Sequence, residues 1–64
     1  MSKAETILMN DYGVGAAVAP ACAILWAVDN AASTEHGKMQ ELVAINKIRR
    51  KHGKPAVYFD TTYN

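Results

Sequence analysis

Residues 33–55 read STEHGKMQELVAINKIRRKHGKP and combine the clearest helical pattern of the chain with six of its seven Lys and Arg residues. Thr34, or the serine before it, can cap the start of a helix. Gly53 is placed to end that helix in a left-handed conformation, and Pro55 follows just beyond it. The pattern therefore predicts a helix over about residues 34–52.

The apolar residues of this helix cover more than half of its circumference. Met39 and Val43 share one side, whereas Leu42, Ile45 and Ile48 continue round to the next side. Two explanations stay open. Either the other helices surround this helix on two sides, or one row packs internally while the row of Leu42, Ile45 and Ile48 meets a partner or a second copy of the chain.

A basic segment occupies the end of the same helix, and it consists of Lys47, Arg49, Arg50, Lys51 and Lys54. Between residues 38 and 54 there are six basic residues and one acidic residue, whereas the rest of the chain has one basic and five acidic residues. On a helical wheel the basic side chains form a collar and not a single face. They either contact phosphates, with an affinity that falls steeply as salt rises, or complement the helix dipole, at about 0.3–1 kcal/mol each.

Two shorter helices are predicted before this one. Ser2 and Glu5 match a capping box, and Gly13 can terminate a helix over about residues 3–12. A second helix is predicted over about residues 16–31.

Pro20 complicates the start of the second helix, because proline is tolerated only in the first turn of a helix. Either the main helix starts near Ala19, or a short turn over residues 14–19 meets it at a kink.

An apolar stripe at helical spacing is expected to turn the second helix toward the core, and it consists of Ala21, Ile24, Leu25 and Val28. We expect Trp26 to anchor the core beside this stripe. Cys22 is the single cysteine of the chain, and we expect it to be buried and unreactive. A lone cysteine between apolar residues suits a reducing compartment, so we expect a cytoplasmic protein.

The segment over residues 55–64 favours extended structure. Val57, Tyr58 and Phe59 are typical of strands, but the chain offers no second strand-like segment to pair with them. We therefore predict an arm that packs over the helices, pairs with another copy, or adds to the sheet edge of a partner. The predicted fold class is mostly α, a small three-helix domain with an extended, strand-like C-terminal arm.

The run over residues 13–28 carries no charge, but a membrane-spanning helix needs about 20 apolar residues. Nine of its 16 residues are Ala, Gly or Pro, which contribute little transfer free energy. We expect a buried, alanine-rich helix here, and a membrane-associated peptide through 13–28 is a minor alternative.

No pattern in the chain points to catalysis or to metal binding. Cys22, His36 and His52 lack the spacing of a zinc site. Glu35 and His36 are adjacent in sequence and so diverge on a helix surface, which does not suit an acid–base pair. We expect no enzyme, no metal and no cofactor.

A 64-residue domain buries only about 60% of its unfolded surface, which leaves docking on a partner as the natural source of further burial. We predict a small non-enzymatic interaction protein that docks on a larger macromolecule as a regulator or inhibitor, either on a larger protein or by self-association. Its predicted contact residues are apolar, aromatic or arginine: Leu42, Ile45, Ile48, Arg49, Tyr58 and Phe59. The alternative is a nucleic-acid-binding factor, with contacts from Lys47, Arg49, Arg50, Lys51 and Lys54.

Overall fold

Three helices make up the fold in the computed structural model, which describes residues 2–59. They are α1 (Lys3–Tyr12), α2 (Ala21–Ala31) and α3 (Glu35–Lys51). Residues 2–59 contain no strand. The radius of gyration is 10.9 Å, close to the value of about 10.7 Å expected for a compact chain of this length. The domain is therefore a compact, all-α bundle, which confirms the helical part of the predicted fold class.

The helix ends follow from local sequence. The Ser2 hydroxyl accepts a hydrogen bond from the Glu5 N–H at 3.1 Å, and the Thr34 hydroxyl accepts one from the Gly37 N–H at 3.0 Å. Such caps are worth about 1 kcal/mol each. Gly13 (φ 71°) and Gly53 (φ 73°) adopt the left-handed conformation just after α1 and α3. The predicted bounds of these two helices therefore agree with the structure to within one residue.

The second helix begins at Ala21, five residues later than predicted. Pro20 is its N-cap, with an extended backbone (φ −70°, ψ 158°). Residues 16–18 form a turn, in which the Ala19 N–H donates to the Gly15 carbonyl at 3.0 Å. The main helix thus starts two residues after Ala19, close to the start that the first alternative predicts, and a short turn precedes the proline. No helix within residues 2–59 is long and apolar enough to cross a membrane.

The core is built largely from small side chains. Among residues 2–59, five of the eleven buried hydrophobic residues are alanines, and only Leu8, Ile24, Val28 and Ile45 are large and fully buried. The core residues that belong to α3 are Leu42 and Ile45. Because so few large side chains fill the core, each of them contributes a large share of the hydrophobic stabilisation.

Two expectations about α2 are wrong. Cys22 is exposed, and Trp26 is about half exposed and packs edge-to-face on Tyr12 with ring centroids 5.9 Å apart. The residues of α2 that enter the core are Ala23, Ile24, Ala27 and Val28. Ala23 and Ala27 thus take the place of Ala21 and Leu25 in the predicted stripe. Alanines let neighbouring helices approach closely, and the larger Cys22 and Trp26 side chains lie outside the closest packing.

Polar groups also join the elements. The Glu41 carboxylate on α3 accepts a hydrogen bond from the Ala4 N–H in the first turn of α1 at 2.9 Å. A carboxylate at this position pairs with an otherwise free helical N–H and with the positive end of the dipole. The start of α1 is therefore fixed against the middle of α3.

Asn46 on α3 binds the described part of the C-terminal segment through both backbone groups of one residue. The Asn46 side-chain amide donates to the Val57 carbonyl and accepts from the Val57 N–H, each at 2.8 Å. Both Asn46 and Val57 are buried. One amide thus satisfies both backbone groups of Val57 without a neighbouring strand. Residues 60–64 of the predicted arm lie outside the described residues.

Replacing Asn46 with leucine is expected to lower the free energy of unfolding by about 1–3 kcal/mol, because the buried N–H and C=O of Val57 lose their partners. Amide hydrogen exchange followed by NMR should show the Val57 N–H exchanging much faster than in the parent chain. The control is Asn30→Leu, since Asn30 is exposed although its amide also donates to a backbone carbonyl, that of Trp26. Equal losses for the two variants would contradict the role assigned to Asn46.

Candidate interaction surface

The outer side of α3 carries two shallow grooves that lie side by side. The first, which we call the Ala44 groove, has a volume of about 460 Å³, and all of its lining residues among residues 2–59 belong to α3. Its lining residues follow one another at helical spacing: Gln40, Val43, Ala44, Lys47, Ile48 and Lys51. No other described element covers this side of the helix.

The second groove, the Tyr58 groove, has a volume of about 240 Å³ and lies between α3 and the C-terminal segment. Its lining consists of Tyr58 from that segment and six residues of α3: Met39, Leu42, Val43, Asn46, Lys47 and Arg50. Val43 and Lys47 line both grooves, so the two form one continuous surface. The Asn46–Val57 pairing holds the backbone next to Tyr58 and so places this ring at the edge of the surface.

Large apolar side chains are exposed on this surface. Met39 is 59% exposed, Val43 is 56% exposed and Tyr58 is 70% exposed. Single exposed apolar residues are ordinary, whereas a contiguous group marks a site of interaction. The three residues line the same groove, which makes this the clearest candidate site on the described part of the chain.

The charge around the two grooves has a single sign. Lys47 lines both grooves, while Arg50 lines the Tyr58 groove and Lys51 the Ala44 groove. No Asp or Glu lines either groove among residues 2–59. Lys54, the last residue of the predicted basic segment, is exposed but lines neither groove. Lys47 and Lys51 thus border the Ala44 groove, and Lys47 lies with Val43 between this groove and the Tyr58 groove.

The predicted apolar contact residues of α3 lie mostly on the inner side of the helix. Ile45 has no exposed surface and Leu42 is buried, although Leu42 reaches the base of the Tyr58 groove. Ile48 is half-buried and lines the Ala44 groove. Ile48 and Tyr58 thus reach the outer surface, whereas Leu42 and Ile45 belong to the core.

Arg49, predicted as a contact for either a protein or a nucleic acid, is 7% exposed. Its Nε donates to the Pro55 carbonyl at 2.8 Å, and its Nη1 donates to the carbonyls of Ala16 and Ala19, each at 3.0 Å. The guanidinium group therefore joins three parts of the chain: α3, the turn before α2, and the segment after α3. Its three hydrogen bonds all go to backbone carbonyls of the chain itself, so Arg49 has a structural role in the fold.

Phe59 lies at a different hollow of about 400 Å³, formed with Met39, Asp29, Glu35 and Lys38. The Lys38 ammonium and the Asp29 carboxylate are 3.2 Å apart across this hollow. An exposed ion pair of this kind contributes about 0–1 kcal/mol. Phe59 therefore adjoins the Tyr58 groove through Met39, which lines both.

Met39, Val43 and Ala44 were not among the predicted contact residues. The helical wheel places Met39 and Val43 together on one side of α3, which is the signal that could have identified them. The wheel does not show which of the two apolar sides the other helices cover.

Groups suited to metal binding are absent from residues 2–59, where no three His, Cys, Asp or Glu side chains come together. Every buried side-chain nitrogen and oxygen atom of these residues has a hydrogen-bond partner. The geometry of the described residues thus offers apolar and basic contacts.

Comparison with protein-family models, with curated protein sequences and with solved structures found no match to this chain.

Proposed function

We propose that this chain is a small non-enzymatic interaction protein that docks on a larger protein as a regulator or inhibitor. The observation that carries this proposal is the surface on the outer side of α3, where Met39, Val43 and Tyr58 are exposed together between basic residues. Burying apolar surface at about 25 cal/mol per Å² is the main source of free energy in protein association. Aromatic and methionine side chains are also enriched at protein interfaces.

The predicted extended arm over residues 55–64 forms part of this proposal. Its described part supplies Tyr58 to the surface, and the Asn46–Val57 pairing holds it against α3. We propose that the arm contributes Tyr58 to the contact with the partner. Tyrosine is among the residues that most often dominate binding energy at interfaces.

Nucleic-acid binding is the second candidate function. Lys47, Arg50, Lys51 and Lys54 are exposed at the end of α3, and phosphate contacts from such residues need no particular base sequence. A phosphate backbone would not remove the exposed apolar residues of the same surface from water, so these residues would add no binding free energy. A protein partner therefore accounts for more of the surface.

Capture from a native lysate tests the proposal. The biotinylated chain is expected to retain a protein partner after nuclease treatment, and Val43→Asp is expected to abolish the capture, since the carboxylate lies in the middle of the apolar contact. Val18→Asp is the matched control, because Val18 is 66% exposed but lines neither groove. The control should capture the partner as the parent chain does.

The alternative occupants give different results in the same experiment. Capture that depends on intact nucleic acid and disappears at moderate salt would replace the proposal with nucleic-acid binding. Sedimentation of the purified chain as a dimer that Val43→Asp dissociates would assign the surface to self-association. Equal capture by Val43→Asp and Val18→Asp would place the partner elsewhere on the molecule.

A further inference from the structure

We infer that the occupant of the Ala44 groove is an amphipathic helix of the partner, with acidic residues beside its apolar stripe. This inference rests on the proposed docking function and specifies the chemistry of the segment that docks. It follows from the direction of the groove, the size of the side chains along it, and the charge at its rim.

The direction of the groove matches a helix. The lining residues form two rows at i, i+4 spacing, Gln40, Ala44 and Ile48 in one row and Val43, Lys47 and Lys51 in the other, and the seam between two packed helices runs along such rows. At 1.5 Å per residue this seam extends over about 17 Å. An occupant helix of about three turns covers it.

One small side chain, that of Ala44, lies where two helices would approach most closely. Ala44 is half-buried and sits midway along the groove, and Val43 and Ile48 flank it with apolar surface. Helix axes pack 8–10 Å apart depending on the residues at the contact, and an alanine at the centre favours the shorter distances. The occupant thus needs apolar residues at i, i+3 or i+4, and i+7, the pattern of helices that dock in grooves.

The cations beside the groove favour acidic residues next to the apolar stripe of the occupant helix. Lys47 and Lys51 are exposed neighbours one turn apart on the groove, and Arg50 lies beside them. No carboxylate of residues 2–59 lines the groove to neutralise these three cations. Acidic residues one turn apart on the occupant would face Lys47 and Lys51, whereas a basic helix would be repelled. Such complementarity acts mainly on specificity and on the association rate.

Selection from a phage-displayed library of 16-residue helical peptides, with the full chain immobilised, tests this inference. We expect enriched peptides to combine an apolar stripe with two or more Asp or Glu residues beside it. A synthesised peptide of this kind should bind in fluorescence anisotropy and gain helicity on binding. Val43→Asp should remove the binding and Val18→Asp should leave it unchanged.

Charge reversal provides the sharper measurement. The double variant Lys47→Glu, Lys51→Glu exchanges two exposed side chains and is expected to weaken binding of the acidic peptide about tenfold, which corresponds to about 1.4 kcal/mol. A peptide with its acidic residues replaced by lysine should bind this double variant better than it binds the parent chain. Circular dichroism of the variant should match that of the parent, which shows that the fold is intact.

Enrichment of neutral or basic peptides, absence of any enriched peptide, or equal binding to Val43→Asp would overturn the inference. The proposed function fails separately. If lysate capture still depends on Val43 when no acidic helix is selected, the docking stands and the helical occupant is wrong. If neither the capture nor the peptide binding depends on Val43, both are wrong.

Discussion

Alanine in place of Arg49 is expected to leave the purified domain largely unfolded at 25 °C, with no cooperative transition in a thermal or urea melt followed by circular dichroism. Arg49 has three side-chain hydrogen bonds to backbone carbonyls, two of them in the turn before α2 and one at Pro55. The two hydrogen bonds to the turn before α2 are buried, and each buried carbonyl left without a partner costs about 1–3 kcal/mol. The total is comparable with the whole stability expected for so small a domain, about 3–5 kcal/mol.

Arg50→Ala is the matched control for this prediction. It removes the same side chain from the next position of the same helix, where the residue is exposed. Its effect on the free energy of unfolding should stay within about 0.5 kcal/mol, as for most surface substitutions. A folded Arg49→Ala protein with a melting curve like that of Arg50→Ala would contradict the structural role of Arg49.

Aspartate in place of Ile45 is the second substitution expected to unfold the domain. Ile45 has no exposed surface and is one of four large side chains that are fully buried in the described part of the chain. The substitution removes about 2–5 kcal/mol of packing, as in truncations of buried isoleucine, and adds the cost of a carboxylate without a partner in the core. Circular dichroism should show the loss of most helical signal, and gel filtration should show an expanded chain.

Val43→Asp makes the same kind of change two residues earlier, on the exposed side of α3. We expect this variant to keep the helical signal of the parent, because Val43 is more than half exposed and its neighbours on the surface are cationic. If the Ile45→Asp variant stayed folded and lost only the ability to bind a partner, the row of Leu42 and Ile45 would be the contact surface. The two variants together thus decide which side of α3 is internal.

Local patterns were sufficient to predict the helices themselves. Ser2, Gly13, Thr34 and Gly53 act through hydrogen bonds and backbone conformations that involve only residues a few positions away. Their effect is therefore visible in sequence. Pro20 was recognised as an obstacle inside the second helix, but its own preference does not decide between a kink and a later start.

The side of α3 that faces the core could not be predicted, because both apolar sides satisfy the same helical period. The outcome depends on where α1 and α2 pack, and the residues of α2 that enter the core are Ala23, Ile24, Ala27 and Val28. Trp26 was expected in the core for its size. The close approach allowed by Ala23 and Ala27 leaves the indole ring at the edge, against Tyr12.

The structural roles of Asn46 and Arg49 were also beyond prediction from sequence. Both side chains bind backbone groups of residues 6 to 33 positions away. Every residue has a backbone carbonyl whatever its side chain, so the pairing of a carbonyl with a distant side chain leaves no pattern in the sequence. Arg49 was therefore grouped with the other cations at the end of α3, although it alone among them is buried.

The turn before α2 is a loop whose length is constrained. The carbonyls of Ala16 and Ala19 reach the same nitrogen of Arg49, and the methyl groups of both alanines are buried. Connecting loops usually tolerate inserted or deleted residues because their backbone faces water. A residue added between these two alanines would move one carbonyl out of reach, so this connection has little freedom to lengthen or shorten. The exposed link around Ser33, between α2 and α3, is the place where this fold can accept additional residues.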